Sequence, residues 1–379
     1  MSISIDEYRY EEIYPSFKAA TDEKEKTARI NAAFLNILAG ARIVMTGIEP
    51  IAIADIGCGP CDTLVKYLTG VKFEPGFRIR ATDYSTAYAD ERSGEALATL
   101  AAVQSTGKLN LVDFSAQAGD AFAGRLLELL GSRNSPAPAR EFRIVFASHV
   151  LYHCETPGSA ERLIDDVTQN VLADDGICIL YHLAKVPLSF QDFRARYGSN
   201  SGAAAHSNTP AVAIDDPPGK ISEVCTTRGI PCLAINFTAD LRFAMPDEKI
   251  WNYFRDPRKY EELCTLHPQA AEDLMRLMFV TQRAPVEFAA DRSPTGLSAY
   301  LDVIGDVLKR NAGILKLAES MQVIYLAEAA PDFGKKLGAA LSAVGSGLAA
   351  SSEGLQVYYS TFDSGFGSCL GSSFEPNNF

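Results

Sequence analysis

Apolar and polar positions divide the first half of the chain into a strand–helix series. Ile51-Ala-Ile-Ala is an unbroken apolar run that ends in Asp55-Ile-Gly-Cys-Gly, the pattern of a strand buried on both faces that turns tightly into a helix. Leu64, Val65 and Leu68 then recur at helical spacing, and Gly70 stops them. Residues 77–82 alternate as a second strand ending at Asp83. A helix over 85–104, a third strand over Leu109–Val112, a fourth over Phe142–Ala147, a helix over 158–172 and a fifth strand over Ile177–Leu180 continue the rhythm. Strands alternating with helices in this way predict a largely parallel α/β sheet. Ahead of the first strand, Asp22 and Glu25 mark a helix start, Ile30, Phe34, Ile37 and Leu38 give its apolar face, and Gly40 its end.

The second half is less regular. Pro, Ser, Asn and Gly crowd residues 198–219, which reads as a long loop. A helix ending at Gly229 and a strand over Cys232–Asn236 follow, and 247–312 looks mainly helical, anchored by Trp251, Tyr253 and Phe254. Two apolar runs, 313–317 and 321–327, flank Ala318-Glu-Ser320 and read as a hairpin closing the sheet. After Leu337 the composition turns to Ala, Gly and Ser, which suggests a flexible tail. The expected division is an N-terminal helical lid (1–45), a ligand-binding core (46–185), an insertion with closing strands (186–329) and a tail (330–379).

The turn after the first strand carries the candidate chemistry. Gly57 and Gly59 let a backbone pass close to a ligand, although G-x-G-x-x-G is absent. Asp83, at the tip of the second strand about 20 residues on, is placed to accept the ribose hydroxyls of a nucleotide; the plainer role is a helix cap near Ser85. Asp113, Gln117 and Asp120 are expected in the turn after strand three, with Asp120 preferred for an adenine amino group. Ser148, His149, Tyr152 and His153 follow strand four, and Tyr181 and His182 end strand five. Three of the chain's five His thus reach the strand ends where open α/β sheets bind ligands. His149 and His153 are spaced like a helical zinc pair, but no Glu stands in the H-E-x-x-H place and no third ligand is evident, so no metal is expected. A neutral His that takes a proton is the preferred reading. Cys58-Gly-Pro-Cys61 also matches a thioredoxin-like redox motif, but both Cys lie inside the glycine turn and β-α units follow it.

Composition narrows the partners. The 379 residues carry a net charge of −12, with 47% apolar and 22% charged residues. That suits a soluble globule and disfavours a nucleic-acid backbone. The acidic start MSISIDEYRYEE has no leader-like apolar core, and no apolar run approaches the ~20 residues of a membrane span. Eight Cys in this context suggest reduced thiols and a cytoplasmic location.

The stretch Asp55-x-Gly57-x-Gly59 followed by Asp83 resembles motif I of the class I S-adenosylmethionine (SAM) methyltransferases. Further landmarks, in order over roughly residues 8–329, resemble the histamine N-methyltransferase group: Tyr14-x-Ser-Phe17 and Thr21-Asp-Glu23, His149-Val-Leu-Tyr152, Phe190-Gln-Asp-Phe193 running to Tyr197-Gly-Ser199, and Glu328-Ala329. The resemblance implies a Rossmann-like class I methyltransferase fold. Its sheet is mostly parallel with an antiparallel last strand, has helices on both faces, and carries an inserted substrate-binding region. The cofactor would be S-adenosyl-L-methionine, held by Asp55, Gly57, Gly59, Asp83, Tyr84, Asp120 and Ser148. The family's substrate-contacting acid would fall on Asp22 or Glu23 and its amide partner on Glu319 or Ser320. Two departures stand out: His149 occupies a Gln position, and Glu319-Ser320 an Asn position. The tail lies outside the pattern.

The activity implied is methyl transfer from SAM to a small molecule, expected at the nitrogen of an amine. His149, His153 or His182 would take or relay a proton. Tyr14, Phe17, Tyr152, Phe190, Phe193 and Tyr197 would wall off water, and their faces would favour a cationic amine. An O- or C-methyltransferase, a peptide methyltransferase using its own tail, and a non-catalytic SAM-binding partner subunit share these features.

Overall fold

The computed structural model describes residues 10–131, 137–153, 158–184, 216–244, 262, 265, 268–281, 297–326, 329, 332–350 and 358–361. Strand β1 (Ile51–Ile56) is buried along its whole length and lies centrally in the sheet. On one side it pairs in parallel with β2 (Phe77–Asp83), which pairs with β3 (Leu111–Ala118); on the other it pairs with β4 (Phe142–Ser148), which pairs with β5 (Leu172–Leu183). β7 (Ile314–Tyr325) runs antiparallel between β5 and β6 (Cys232–Arg242), and β8 (Tyr358–Thr361) adds an antiparallel edge to β6. The resulting order is β3-β2-β1-β4-β5-β7-β6-β8. A parallel run from β3 to β5, in which the chain order switches sides between β1 and β4, closed by an antiparallel β7, is the Rossmann-like class I methyltransferase fold with one strand added.

Alternate residues of each central strand feed two cores. Ile51 and Ile53 join Phe34, Leu35 and Leu38 of α2 (Glu23–Gly40) and the buried side of α3 (Asp62–Leu68). Ala52, Ala54 and Ile56 face Leu163 and Ile164 of α7 (Ser159–Asp166) and Ile221 and Val224 of α8 (Pro217–Arg228). Each fully buried Leu, Ile or Phe contributes about 1.5–3 kcal/mol, so the period-two pattern of the strands fixes which face each helix covers. No helix among the described residues is long and apolar enough to cross a membrane.

Several elements differ from the sequence reading. β3 spans Leu111–Ala118, not Leu109–Val112, so Asp113 and Gln117 lie within a strand. It is the sheet edge, where polar side chains are tolerated and the apolar signal is weak. The helix expected over 85–104 is two: α4 (Thr86–Ala89) and α5 (Glu95–Ser105). Between them Asp90 accepts bonds from the Arg92 and Ser93 amides at 3.0 and 2.9 Å, which ends the first helix in a turn. The expected hairpin over 313–327 is one continuous strand, β7, because Glu319, Ser320 and Gln322, which imitate a turn in the sequence, are buried inside the sheet. Part of the tail is ordered: Phe333, Leu337, Ala340, Leu341 and Val344 put a helical stripe of α11 (Phe333–Ala350) into the α2 side of the core. Trp251, Tyr253 and Phe254 lie outside the described residues.

Candidate active site

The turn after β1 forms a shelf for a ligand. Gly57 takes φ +69°, and a Cβ there would stand 2.3 Å from Val150 Cγ1. Gly59, at φ +50°, faces open space, with nothing within 4 Å of an added Cβ. Thr82 O accepts the amides of Gly57 and Cys58 at 2.8 and 3.0 Å, so the turn hangs from the end of β2. Asp83 completes it: its Oδ2 accepts the Gly59 amide at 2.9 Å and its Oδ1 the Ser85 amide at 2.8 Å. Each carboxylate oxygen keeps a further lone pair. Asp83 thus fixes the turn ahead of the next helix through Ser85 without capping an amide of that helix itself. Tyr84, next to it, is 77% exposed, an aromatic face unusually open to solvent. Asp120 caps the turn over Ala121–Ala123 by accepting the Phe122 amide at 2.8 Å. Asp55, under the shelf, is buried; burial, then the Asp83 charge, push its carboxyl from 3.8 to about 7.

The shelf thiols are not activated. Cys58 and Cys61 are both buried, and hydrogen bonding with Cys61, then burial, raise the Cys58 thiol well above its ordinary value. A redox motif requires the opposite shift.

Beside the shelf, three distant segments meet. Glu23 opens α2, His149 follows β4, and Glu319 lies within β7 opposite Leu183 of β5 and Phe237 of β6. His149 Nε2 stands 2.8 Å from Glu23 Oε1 and 4.0 Å from Glu319 Oε2. His149 adopts a left-handed φ of 60°, and its amide donates to Tyr181 O at 2.8 Å. For a non-glycine residue that conformation costs about 1–2 kcal/mol, and it aims the ring at the two acids. Burial opposes ionisation of Glu23, but the charge and hydrogen bond of His149 outweigh it and hold the carboxyl below its ordinary value. Glu319 is fully buried; burial and then the Glu23 charge drive its carboxyl well above the ordinary range.

The neighbouring acid has a different task. Asp22 Oδ1 accepts the Asp240 amide at 2.7 Å, the Asp22 amide donates to Asp240 O at 3.2 Å, and Lys26 pairs with Asp22 at 3.0 Å. Asp22 clips the start of α2 to β6, and of the two expected acids only Glu23 reaches the cluster. Likewise Glu319, rather than Ser320, is the β7 residue that faces it. His182 is fully buried, its Nε2 accepts the Leu151 amide at 3.3 Å, and burial followed by the His149 charge depresses its pKa. It is a neutral positioning residue for the turn over Val150–His153.

α1 (Tyr10–Ala20) roofs this region. Phe17 stacks on Phe279 of α9 (Pro268–Thr281) at 3.9 Å, with Tyr14 6.2 Å from Phe17, and Lys18 pairs with Asp62 at 2.5 Å. Burial, then the Glu23 charge, raises the Tyr14 phenol above its ordinary value. The side chains of Tyr152 and His153, and all of Phe190, Phe193 and Tyr197, lie outside the described residues.

A set of polar contacts behind the site escaped the sequence reading. Tyr67 Oη and Ser148 Oγ are 3.2 Å apart, Asn31 Nδ2 donates to Tyr67 O at 3.2 Å, and Tyr181 Oη donates to Asn31 Oδ1 at 3.2 Å. The signal was a lone Asn on the apolar face of α2.

No family model matches the chain, and no curated protein matches it. Solved structures give distant likenesses. The [4+2]-cyclase SpnF has a TM-score of 0.36 and 15% identity, over 78% of this chain and 81% of that one. A provisionally assigned sarcosine dimethylglycine methyltransferase of Galdieria sulphuraria has a TM-score of 0.39 and 12% identity, over 85% and 93%. Phosphoethanolamine N-methyltransferase 2 of Haemonchus contortus, in complex with SAM, has a TM-score of 0.32 and 13% identity, over 73% of this chain and 49% of that one. The strand order, not these likenesses, identifies the fold.

Proposed function

We propose that the chain is a methyltransferase that uses S-adenosyl-L-methionine to methylate a small molecule at an amine nitrogen. The observation that carries this reading is adjacency. The glycine shelf with its ribose acid packs on Val150, one residue from His149, so a nucleotide-binding turn and a buried acid–imidazole cluster share one edge of the sheet. The shelf residues fit the cofactor. Gly57 and Gly59 admit close backbone approach, Asp83 offers lone pairs for two hydroxyls, Tyr84 offers a stacking face for adenine, and Asp55 and Ser148 lie at the ends of the adjacent strands β1 and β4. SAM supplies an electrophilic methyl on a sulfonium.

The chain's own residues do the rest. Transfer of this kind needs alignment and an unprotonated nucleophile more than covalent help. Glu23 and His149 form the pair that takes the acceptor's proton, with Glu23 holding the imidazole's orientation. Tyr14 and Phe17 close the roof against water. The acidic lining favours acceptors that carry nitrogen.

Calorimetry with SAM and S-adenosylhomocysteine, followed by mass spectrometry of amine, hydroxyl and carbon acceptors incubated with SAM, tests the reading. Micromolar binding and a one-methyl gain on an amine is the expected result. Absence of binding to either nucleotide would sink the whole reading. Transfer confined to hydroxyl or carbon acceptors would sink its nitrogen part.

A further inference from the structure

The geometry points to a divalent transition-metal site formed by Glu23, His149 and Glu319. Each offers one donor atom, and the three atoms all lie within 4.8 Å of one another. The separations of 2.8 and 4.0 Å from His149 Nε2 to the two carboxylates are those of neighbouring ligands on one ion, since donors about 2.1 Å from a common centre stand about 3–4 Å apart.

Glu319 gives the second, independent observation. It is fully buried, and neither carboxylate oxygen has a hydrogen-bond partner among the described residues. Native interiors rarely leave such a group unanswered. The residue sits mid-strand in β7, paired with both β5 and β6, so its backbone is held in place. The clip at Asp22 and the left-handed turn at His149 likewise fix the other two ligands.

An ammonium group would pair with the ionised Glu23 and leave Glu319, which burial keeps protonated, unanswered. It would also be held protonated by the acids, and a protonated amine has no lone pair with which to attack a methyl. A divalent ion balances both carboxylates beside a neutral imidazole, and leaves a neighbouring amine neutral. One imidazole with two carboxylates suits Zn²⁺, Mn²⁺, Fe²⁺ or Co²⁺ better than the all-oxygen shells of Ca²⁺ or Mg²⁺. Three protein ligands leave positions open for water or a donor atom of the acceptor. With the ion bound, His149 Nε2 is a ligand rather than the base named above, and the proton released on transfer goes to solvent. That consequence rests on the methyl-transfer reading; binding of the ion does not.

The test uses the untagged full-length chain, stripped with chelator and desalted, then titrated with CoCl₂ and followed by visible absorption. The expected result is one Co²⁺ per chain, displaced by Zn²⁺. Affinity should fall at least tenfold in Glu319→Gln and in His149→Ala, and be unchanged in Asp174→Asn, a surface control. Circular dichroism verifies that the variants are folded, and the wild-type titration stands without them. No saturable signal in the wild type, or a signal that survives both site variants, would overturn the proposal. SAM calorimetry on the same preparation separates the two ideas: SAM binding without Co²⁺ binding removes the ion alone, and Co²⁺ binding without SAM binding removes the methyl-transfer reading alone.

Discussion

Replacing Asp55 by Asn should stabilise the ligand-free protein, and by an amount that depends on pH. The carboxyl is 6% exposed, and burial, then the Asp83 charge, raise its pKa from 3.8 to about 7. Between those values the folded chain holds a proton that the unfolded chain has already lost. The unfolded state therefore binds fewer protons, and stability falls as pH rises through that window. The slope is about 1.4 kcal/mol per pH unit, and across roughly three units the loss is on the order of 4 kcal/mol, complete above the folded pKa. The substituted amide keeps the shape without the titration. In a chain of this length ~4 kcal/mol corresponds to about 5 °C in the unfolding midpoint. Thermal unfolding of both proteins, followed by circular dichroism at intervals from about pH 4 to about pH 8 without ligand, reads the effect. The gap between them should be small at the acid end, widen up to neutrality and then level off. Parallel profiles would mean that Asp55 ionises normally, and the reasoning about the buried shelf would be wrong.

Three further outcomes are open to measurement. Gly57→Ala forces a Cβ against Val150 at a left-handed φ; strain and overpacking together cost about 2–4 kcal/mol, so its midpoint should drop and its SAM titration flatten, and unchanged values would refute the close approach. Asp83→Asn removes a charged acceptor worth about 1.5–3 kcal/mol, and calorimetry should show SAM bound at least tenfold more weakly with the fold kept. Leu337→Ala empties a fully buried position on α11 and should cost about 2–5 kcal/mol in urea unfolding; a neutral result would detach that helix from the core.

The central sheet was legible because its strands are buried on both faces and write themselves as apolar runs, as in Ile51–Ile56 and Phe142–Ser148. The shelf was legible because Gly57, Gly59 and Asp83 belong to one short segment whose spacing is set by a strand, a turn and a helix. β7 was misread because Glu319, Ser320 and Gln322 break an apolar run. A buried polar group at a site and a turn look the same when only one strand is in view. The α11 helix was hidden by its Ala and Gly content, although Phe333, Leu337, Ala340, Leu341 and Val344 keep helical period. The convergence of Glu23, His149 and Glu319 was legible only as a set of candidates. Local pattern says nothing about which of two adjacent acids, Asp22 or Glu23, points inward; the bond from Asp22 to β6 decides that.

The acids along this edge follow one logic. Asp55 and Glu319 are both held protonated above their ordinary values, and Glu23 is ionised through His149. The ligand-free protein therefore carries unfavourable burial that positively charged ligands relieve. On the proposed reading SAM would bring its sulfonium and ammonium toward Asp55, and an opposite charge at close range lowers a carboxyl pKa. Near pH 6.5, below the free value of about 7, binding should eject part of a proton from Asp55. Calorimetric titration of SAM in two buffers of different ionisation enthalpy measures that release. Heats that differ between the buffers in the wild type and coincide in Asp55→Asn place the charge coupling at this residue. Identical heats in the wild type would mean that the acid is not answered by the cofactor, and that its burial serves the fold alone.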